Sequence, residues 1–145
     1  MEIRTLEARD IDALAPVMTA VFNAPPWNEH WSEESAAQSL CELLASPRFY
    51  GDVILADGKI AGALLGHLRT YATGTSFYLD EFFISPAHRR QHLATALYRH
   101  TLAALKEKNV GGLFFTTQRN SPAYAFYLRE GAWDLDDAAC FYHAL

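Results

Sequence analysis

The dipeptide Asp57-Gly58 constrains the fold of this chain more than any other feature. It separates two segments with strand character, residues 49–56 and 60–71, and Asp-Gly between such segments is the strongest short-range signal for a β-hairpin. A third strand-like segment follows at residues 76–84. Because consecutive strands joined by tight turns pair antiparallel, the centre of the chain is predicted to form an antiparallel sheet.

Two helices are predicted before this sheet. From Asp10 to Phe22 apolar residues recur every three or four positions, and Pro25-Pro26 end that helix because proline cannot continue it. Ser32 is a good N-cap for a second helix, which carries acidic residues in its first turn and ends at Ser46-Pro47.

Further elements are predicted after the sheet. Helical spacing returns at residues 93–105, and Ser121-Pro122 supply an N-cap and a first-position proline for a fourth helix. Short strands are predicted at residues 2–7, 113–117 and 138–144. The order β-α-α-β-β-β-α-β-α-β indicates an α/β (α+β) fold, with a mixed, mostly antiparallel sheet flanked by helices, in one domain over residues 1–145.

Composition indicates an ordinary globular protein. The chain has 145 residues, of which 50% are hydrophobic and 20% charged. No apolar run approaches the ~18 residues of a membrane span, and the first residues lack the features of a signal peptide. We therefore expect a cytoplasmic protein with no membrane partner, in which Cys41 and Cys140 are free, buried thiols.

The charge distribution excludes one class of partner. The net charge is −5, and residues 1–47 contain eight acidic residues against only Arg4 and Arg9. No basic stripe is present that could neutralise phosphates, so a nucleic-acid partner is not expected. The acidic N-terminal third would attract a cation, although acids that only keep helix faces solvated give the same pattern.

The segment from Tyr78 to Leu105 indicates a specific chemistry. A strand ends at Ile84, and a loop with Arg89 and Arg90 then enters a helix. The first N–H groups of a helix have no helical acceptor and its dipole favours an anion there, so a diphosphate could bind at this helix start. A plain strand-to-helix connection with exposed arginines is the alternative.

This segment resembles the acetyl-CoA-binding motif of the GNAT superfamily of N-acetyltransferases. The motif, Arg/Gln-x-x-Gly-x-Gly/Ala, falls on residues 89–94, and a second family motif matches Asn120, Tyr127 and Gly131. The resemblance implies acetyl-CoA as co-substrate. His88 and His92 are four residues apart and could bind a metal together, but no third ligand is spaced to join them, so no metal is expected. His92 stands where the family has its first glycine, and its side chain would either crowd the phosphate or donate a hydrogen bond to it.

The resemblance also implies roles for individual residues. The strand before the loop would bind the pantetheine arm through its backbone, the loop and helix start would hold the diphosphate, and an asparagine would contact the cofactor from the other side. These cofactor-binding residues are Phe82, Phe83, Ile84, Arg89, Arg90, Gln91, His92, Leu93, Ala94, Thr95 and Asn120. Tyr127 matches the tyrosine that donates a proton to the departing thiolate; a core aromatic is its alternative role.

The residues themselves favour direct transfer. No cysteine lies in either motif, so attack of an amine on the thioester is preferred to an acyl-enzyme. A primary amine, with a pKa near ~10.4, must lose a proton before it attacks. Asp80 and Glu81 are adjacent on a strand and are predicted to face opposite sides of the sheet, so that one of them reaches the acceptor as a base or cation site. Alternatively, Asp80 and Glu81 only line an exposed strand face or form a structural salt bridge.

Two closer resemblances concern the acceptor. Residues 78–84 and 126–135 resemble spermidine/spermine acetyltransferases, and residues 22–29 resemble bacterial proteins related to aminoglycoside N-acetyltransferases. Both groups modify amines of polycations, which implies a small cationic amine as the substrate. The resemblance also implies that the loop between the first two helices borders the acceptor site. The predicted acceptor-site residues are Trp27, Glu29, His30, Trp31, Asp80 and Glu81. A peptide amine acetyltransferase and a non-catalytic acyl-CoA-binding module are the alternatives; many relatives are homodimers.

Overall fold

The computed structural model describes all 145 residues, which divide into two compact units, residues 1–115 and 116–145. The first unit contains five strands and three α-helices: β1 (Glu2–Thr5), α1 (Ile11–Phe22), α2 (Glu33–Leu44), β2 (Phe49–Ala56), β3 (Lys59–Tyr71), β4 (Gly74–Ile84), α3 (Leu93–Glu107) and β5 (Val110–Phe114). The second unit contains α4 (Pro122–Arg129). Short 3-10 turns precede α1 and α3.

The sheet confirms the predicted fold class. Its strands lie in the order β1-β2-β3-β4-β5, and neighbours are antiparallel except for the parallel pair β4–β5. Asp57 and Gly58 form the predicted turn between β2 and β3, and both have the positive φ (52° and 72°) that a two-residue hairpin of this kind requires. The extent of the domain over residues 1–145 stays a prediction.

Helices cover both faces of the sheet. On one face α1 and α2 pack against β2, β3 and β4 through a buried apolar cluster that includes Leu14, Met18 and Leu65. On the other face the hydroxyl of Thr101 in α3 donates a 2.8 Å hydrogen bond to Asp52 of β2. Asp52 is only 1% exposed, and the Thr101 and Tyr50 hydroxyls together provide partners for a carboxyl group that would be costly to bury alone.

The predicted helix starts are confirmed. The Ser32 hydroxyl accepts the N–H of Ser35 at 3.0 Å, and the Ser121 hydroxyl accepts the N–H of Tyr124 at 3.1 Å. Each bond provides an acceptor for one of the N–H groups that a helix leaves without a helical partner. Pro122 occupies the first turn of α4, where it has no helical bond to lose.

Two predictions are wrong: the C-terminal strand and the burial of the two cysteines. Residues 138–144 form no strand, because a strand exists only through bonds to a neighbour and this segment pairs with none; Phe141 and Tyr142 are 91% and 93% exposed. Cys41 and Cys140 are free, as expected, but both are exposed. None of the helices has the length and apolar character that a membrane crossing requires.

Candidate active site

A β-bulge in β4 shapes the acidic part of the sheet. On β3, Leu65 lies opposite Glu81 and Gly66 lies opposite Leu79, so Asp80 is an extra residue on β4. Gly66 permits this geometry, because a Cβ at that position would overlap the carbonyl oxygen of Tyr78. The strand therefore loses its strict alternation at Asp80.

The bulge places Asp80 and Glu81, hereafter the carboxyl pair, on one face of the sheet. Leu65, the partner of Glu81, belongs to the cluster that packs on α1 and α2. His67 lies two residues further along β3, hence on the same face, and its Nδ1 is 2.8 Å from Oδ2 of Asp80. The prediction that Asp80 and Glu81 face opposite sides is wrong, because the rule of alternation does not hold across a bulge.

The environment of Glu81 changes its acidity. Burial raises the pKa of Glu81 from 4.5 to about 7, and the negative charges of Glu29 and Asp80 act in the same direction. A carboxyl group with a pKa near the operating pH takes up and releases a proton readily, which is the property required of a general base.

His67 is a functional candidate that sequence reasoning missed. Its imidazole lies between Asp80 and the ring of Tyr78, with ring centroids 5.6 Å apart, and the Tyr78 ring lies 5.8 Å from that of Phe114. The only available signal was the alternation along β3, which puts His67 on the face of Leu65. Its contact with Asp80 depends on the bulge and could not be anticipated.

The loop between α1 and α2, residues 23–31, is hereafter called the acceptor loop after its predicted role. The Asn23 side chain bonds both the N–H (2.8 Å) and the carbonyl oxygen (2.9 Å) of Trp31. The Trp31 Nε1–H donates to Glu29 at 3.3 Å, and Trp27 packs edge-on against Phe22 at 5.8 Å. The structure therefore holds Trp27, Glu29 and Trp31 in one closed loop, and the charge of Glu29 reaches Glu81.

The segment after the bulge leads to the predicted cofactor site. Pairing of β4 with β5 ends at Tyr78 and Phe114, before the segment 82–84 that was predicted to bind the pantetheine arm. Phe82 stacks on Tyr98 of α3 with centroids 5.9 Å apart, and Phe83 is buried towards α1 with Phe22 5.9 Å away. The backbone of residues 82–84 therefore has no pairing with β5, and its role in binding the pantetheine arm stays a prediction.

The start of α3 keeps the geometry that a glycine would give. His92 has φ +59° and ψ 19°, the left-handed region, and Arg90 also has a positive φ. The His92 carbonyl accepts the N–H of Ala96 at 3.0 Å, so the N–H groups of residues 93–95 precede the first helical bond. The loop residues 89–92 are exposed. Although histidine stands at position 92 in place of the family's glycine, the backbone N–H groups of residues 93–95 therefore remain available as donors.

The family is decided by the sequence match. Residues 12–132 match the Acetyltransferase (GNAT) family. The chain belongs to the GNAT family of acetyltransferases.

Solved structures of other proteins share the fold of this GNAT acetyltransferase. The aminoglycoside 6'-N-acetyltransferase AAC(6')-IG from Acinetobacter haemolyticus has a TM-score of 0.76 at 18% identity, with 100% of this chain and 99% of that chain covered. An aminoglycoside acetyltransferase, meta-AAC0020, from an uncultured soil metagenomic sample has 0.77 at 22% identity, with 99% and 95% covered. The ribosomal-protein-alanine N-acetyltransferase from Brucella melitensis biovar Abortus 2308 has 0.79 at 18% identity, with 100% of both covered. These identities establish the fold alone. No curated protein matches the chain.

The second unit of the GNAT protein contains the remaining predicted residues. Asn120 has φ +64° directly before the N-cap of α4. Tyr127 lies on α4, is 9% exposed and packs edge-on against Phe126 at 5.5 Å. Gly131 follows the helix with φ +99°, a conformation suited to glycine. The roles of Asn120 and Tyr127 stay predictions.

Two other features contribute nothing to the candidate site. No group of three or more His, Cys, Asp or Glu side chains is placed to hold a metal ion. A cleft of about 420 Å³ lies between the first residues of β4 and β5. It is lined by small polar and apolar residues and lies at the opposite end of β4 from the carboxyl pair, so it offers no group for acyl transfer.

Proposed function

We propose that this protein is an acetyl-CoA-dependent N-acetyltransferase that transfers the acetyl group directly to the primary amine of a small cationic acceptor, of polyamine or aminoglycoside type. The observation that carries the proposal is the carboxyl pair beside the acceptor loop. One carboxyl, Glu81, has its pKa raised to about 7 by burial and by the charges of Glu29 and Asp80, and Asp80 is bonded to His67. Such a site attracts an ammonium group and can then deprotonate it.

The start of α3 fits the diphosphate of acetyl-CoA, which supplies the acetyl group as a thioester. The N–H groups of residues 93–95 lie before the first helical bond, the helix dipole favours an anion, and Arg89 and Arg90 add positive charge in the same loop. In the proposal the backbone of residues 82–84 binds the pantetheine arm, and Asn120 contacts the cofactor as the resemblance implies.

The residues of the site account for each proton. Glu81 accepts the proton that the ammonium group must lose, and the freed lone pair of nitrogen then attacks the thioester carbon. A C–N bond forms as the C–S bond breaks, and the attacking nitrogen gives up a second proton. Tyr127 donates a proton to the leaving sulfur and is reprotonated, through solvent, by the second proton of nitrogen, so that neutral thiol and amide result. Glu81 returns its proton to solvent, and each turnover releases one proton. Both cysteines are exposed and outside the motifs, which supports direct attack rather than an acyl-enzyme.

The class of acceptor is supported by charge and by structural likeness. Glu29, Asp80 and Glu81 place three carboxyl groups around the site, and Trp27 and Trp31 lie in the same loop, where a sugar ring or an alkyl amine can pack on them. Among the proteins that share the fold is meta-AAC0020 in complex with the aminoglycoside sisomicin, with a TM-score of 0.75 at 21% identity.

A peptide amine is the second candidate acceptor, because the Brucella ribosomal-protein-alanine N-acetyltransferase has the same fold and an acidic site suits a basic peptide too. A non-catalytic acyl-CoA-binding module is disfavoured, since such a module has no use for a carboxyl group held near neutrality or for the motif tyrosine. A cytoplasmic location and a homodimer stay predictions.

Release of free thiol from acetyl-CoA tests the proposal. We expect turnover with spermidine and with sisomicin to exceed turnover with a peptide that begins with alanine, and Glu81→Gln to abolish most of it. A higher kcat/KM for the peptide would show that the acceptor is a peptide amine and not a polyamine or an aminoglycoside. Binding of CoA by calorimetry without turnover of any amine would instead support the non-catalytic module.

A further inference from the structure

The two carboxyl groups of the carboxyl pair have different surroundings. Asp80 is bonded to Nδ1 of His67 at 2.8 Å, whereas no hydrogen bond offsets the burial of Glu81. Because Asp80 is the bulged residue, it lies on the same face as Glu81 and directly beside it along the strand. Sequence alone gives no reason why one of them rather than the other should carry a proton.

We propose that His67 is a positioning residue that decides which of the two carboxyl groups acts as the base. Its Nδ1–H donates to Asp80 and holds that carboxyl group beside Glu81, so that Glu81 carries the exchangeable proton. This inference rests on the proposed function, in which a carboxyl group on this face deprotonates the amine.

The physical reason is that two adjacent carboxyl groups do not ionise independently. A donor bonded to one of them favours the charged form of that group. The resulting negative charge disfavours a second charge next to it, so the proton stays on the neighbour. His67 therefore acts on Glu81 through Asp80 and without contacting Glu81 itself.

The remaining neighbours of the cluster strengthen this assignment. The other charge that reaches Glu81 is that of Glu29, which is also negative. Tyr78 covers the imidazole from β4, and the residue opposite His67 on β2 is the apolar Phe49. No lysine or arginine forms an ion pair with Glu29, Asp80 or Glu81, so His67 is the one cationic or donor side chain bonded to the carboxyl pair.

A structural role alone would give a different result. The side chains of His67 and Asp80 are 31% and 17% exposed, and partly exposed pairs of this kind contribute little to stability. A structural role predicts that removal of His67 lowers stability and turnover whether or not Asp80 is present. The positioning role predicts that the effect of His67 disappears when Asp80 cannot ionise.

The test compares the pH profile of kcat/KM in His67→Leu, His67→Asn, Asp80→Asn and the double variant His67→Leu/Asp80→Asn. We expect Asp80→Asn to move the acid limb to lower pH, because Glu81 loses a like charge. His67→Leu should move it in the same direction by a smaller amount, because the charge of Asp80 is then held less firmly beside Glu81; one pKa unit corresponds to a tenfold change in kcat/KM on the acid limb. His67→Asn keeps an amide donor near the Nδ1 position and should restore most of the profile.

Two controls make the outcome decisive. His100→Asn, at an exposed position on α3, should leave the profile unchanged. In the double variant, loss of His67 should add no shift of the acid limb to that of Asp80→Asn; additive shifts would overturn the proposal.

A second readout does not depend on turnover. Carboxyl ¹³C titration by NMR should show Glu81 titrating at lower pH in His67→Leu and in Asp80→Asn than in the natural protein. An unchanged Glu81 titration in His67→Leu would overturn the role of His67 even if no amine substrate is found, whereas failure of the proposed function would show only as absent thiol release.

Discussion

Replacement of Glu81 by glutamine should make the protein more stable and less active at the same time. Burial and two like charges raise the pKa of Glu81 from 4.5 to about 7. Below pH 4.5 the group is neutral in both the folded and the unfolded state and does not lower the free energy of unfolding. Between pH 4.5 and about 7 the folded state holds a proton that the unfolded state has lost, so stability falls as the pH rises. Above pH 7 the full cost remains, which at about 1.4 kcal/mol per pKa unit is about 3 kcal/mol.

Urea unfolding of Glu81→Gln and the natural protein at pH 5 and pH 8.5 measures this cost. Glutamine is neutral at both values, so the stability advantage of the variant should grow by about 2 to 3 kcal/mol between them. Glu34→Gln, at an exposed position in the first turn of α2, should show the same difference at both pH values. An advantage of Glu81→Gln that does not change with pH would refute the argument that Glu81 is held near neutrality. Turnover of the variant should fall on the order of 10²–10⁴-fold if Glu81 is the base.

Four further predictions follow from other parts of the molecule. Tyr127→Phe should lower kcat by on the order of 10²–10⁴-fold and leave the KM for acetyl-CoA nearly unchanged, because a proton donor to the thiolate acts in the transition state; full activity would mean that Tyr127 only packs. Gly66→Ala should destabilise the protein by about 1–3 kcal/mol in urea unfolding, because the new Cβ overlaps the Tyr78 carbonyl oxygen; an unchanged midpoint would contradict the close approach at the bulge. His92→Gly keeps the left-handed φ and should bind CoA at least as tightly in calorimetry; weaker binding would identify the imidazole as a phosphate donor. For a cationic acceptor kcat/KM should fall as salt rises, since exposed charges are screened over ~8 Å at physiological ionic strength, and Glu29→Gln should flatten this dependence; a salt-independent kcat/KM would argue against a cationic acceptor.

Local signals in the sequence predict most of the fold. Asp57-Gly58 predicts the β2–β3 hairpin because the turn itself requires positive φ at both residues. Ser32 and Ser121 predict helix starts because each satisfies an N–H group within three residues of its own position. Features of this kind are determined by a few neighbouring residues, and a sequence displays them directly.

The parts that failed depend on residues distant along the chain. The common face of Asp80 and Glu81 depends on Gly66, which lies on another strand and permits the bulge. The contact of His67 with Asp80 depends on the same register. Residues 138–144 are mostly apolar and aromatic, as a strand can be, but composition does not supply a pairing partner. The cofactor loop was predicted from motif spacing, whereas its left-handed turn at His92 is visible only in the backbone.

The two bonds from the Asn23 side chain to the backbone of Trp31 close the acceptor loop at its base. Because one residue joins the two ends, the sequence between them can vary in length and composition while the ends stay where α1 and α2 need them. The ordering of Trp27 and Glu29 is then achieved during folding, and an incoming amine does not have to impose it. If the loop borders the acceptor as proposed, an exchange of residues 24–30 that keeps Asn23 and Trp31 should change which amine is accepted while Asp80 and Glu81 stay in place on the sheet.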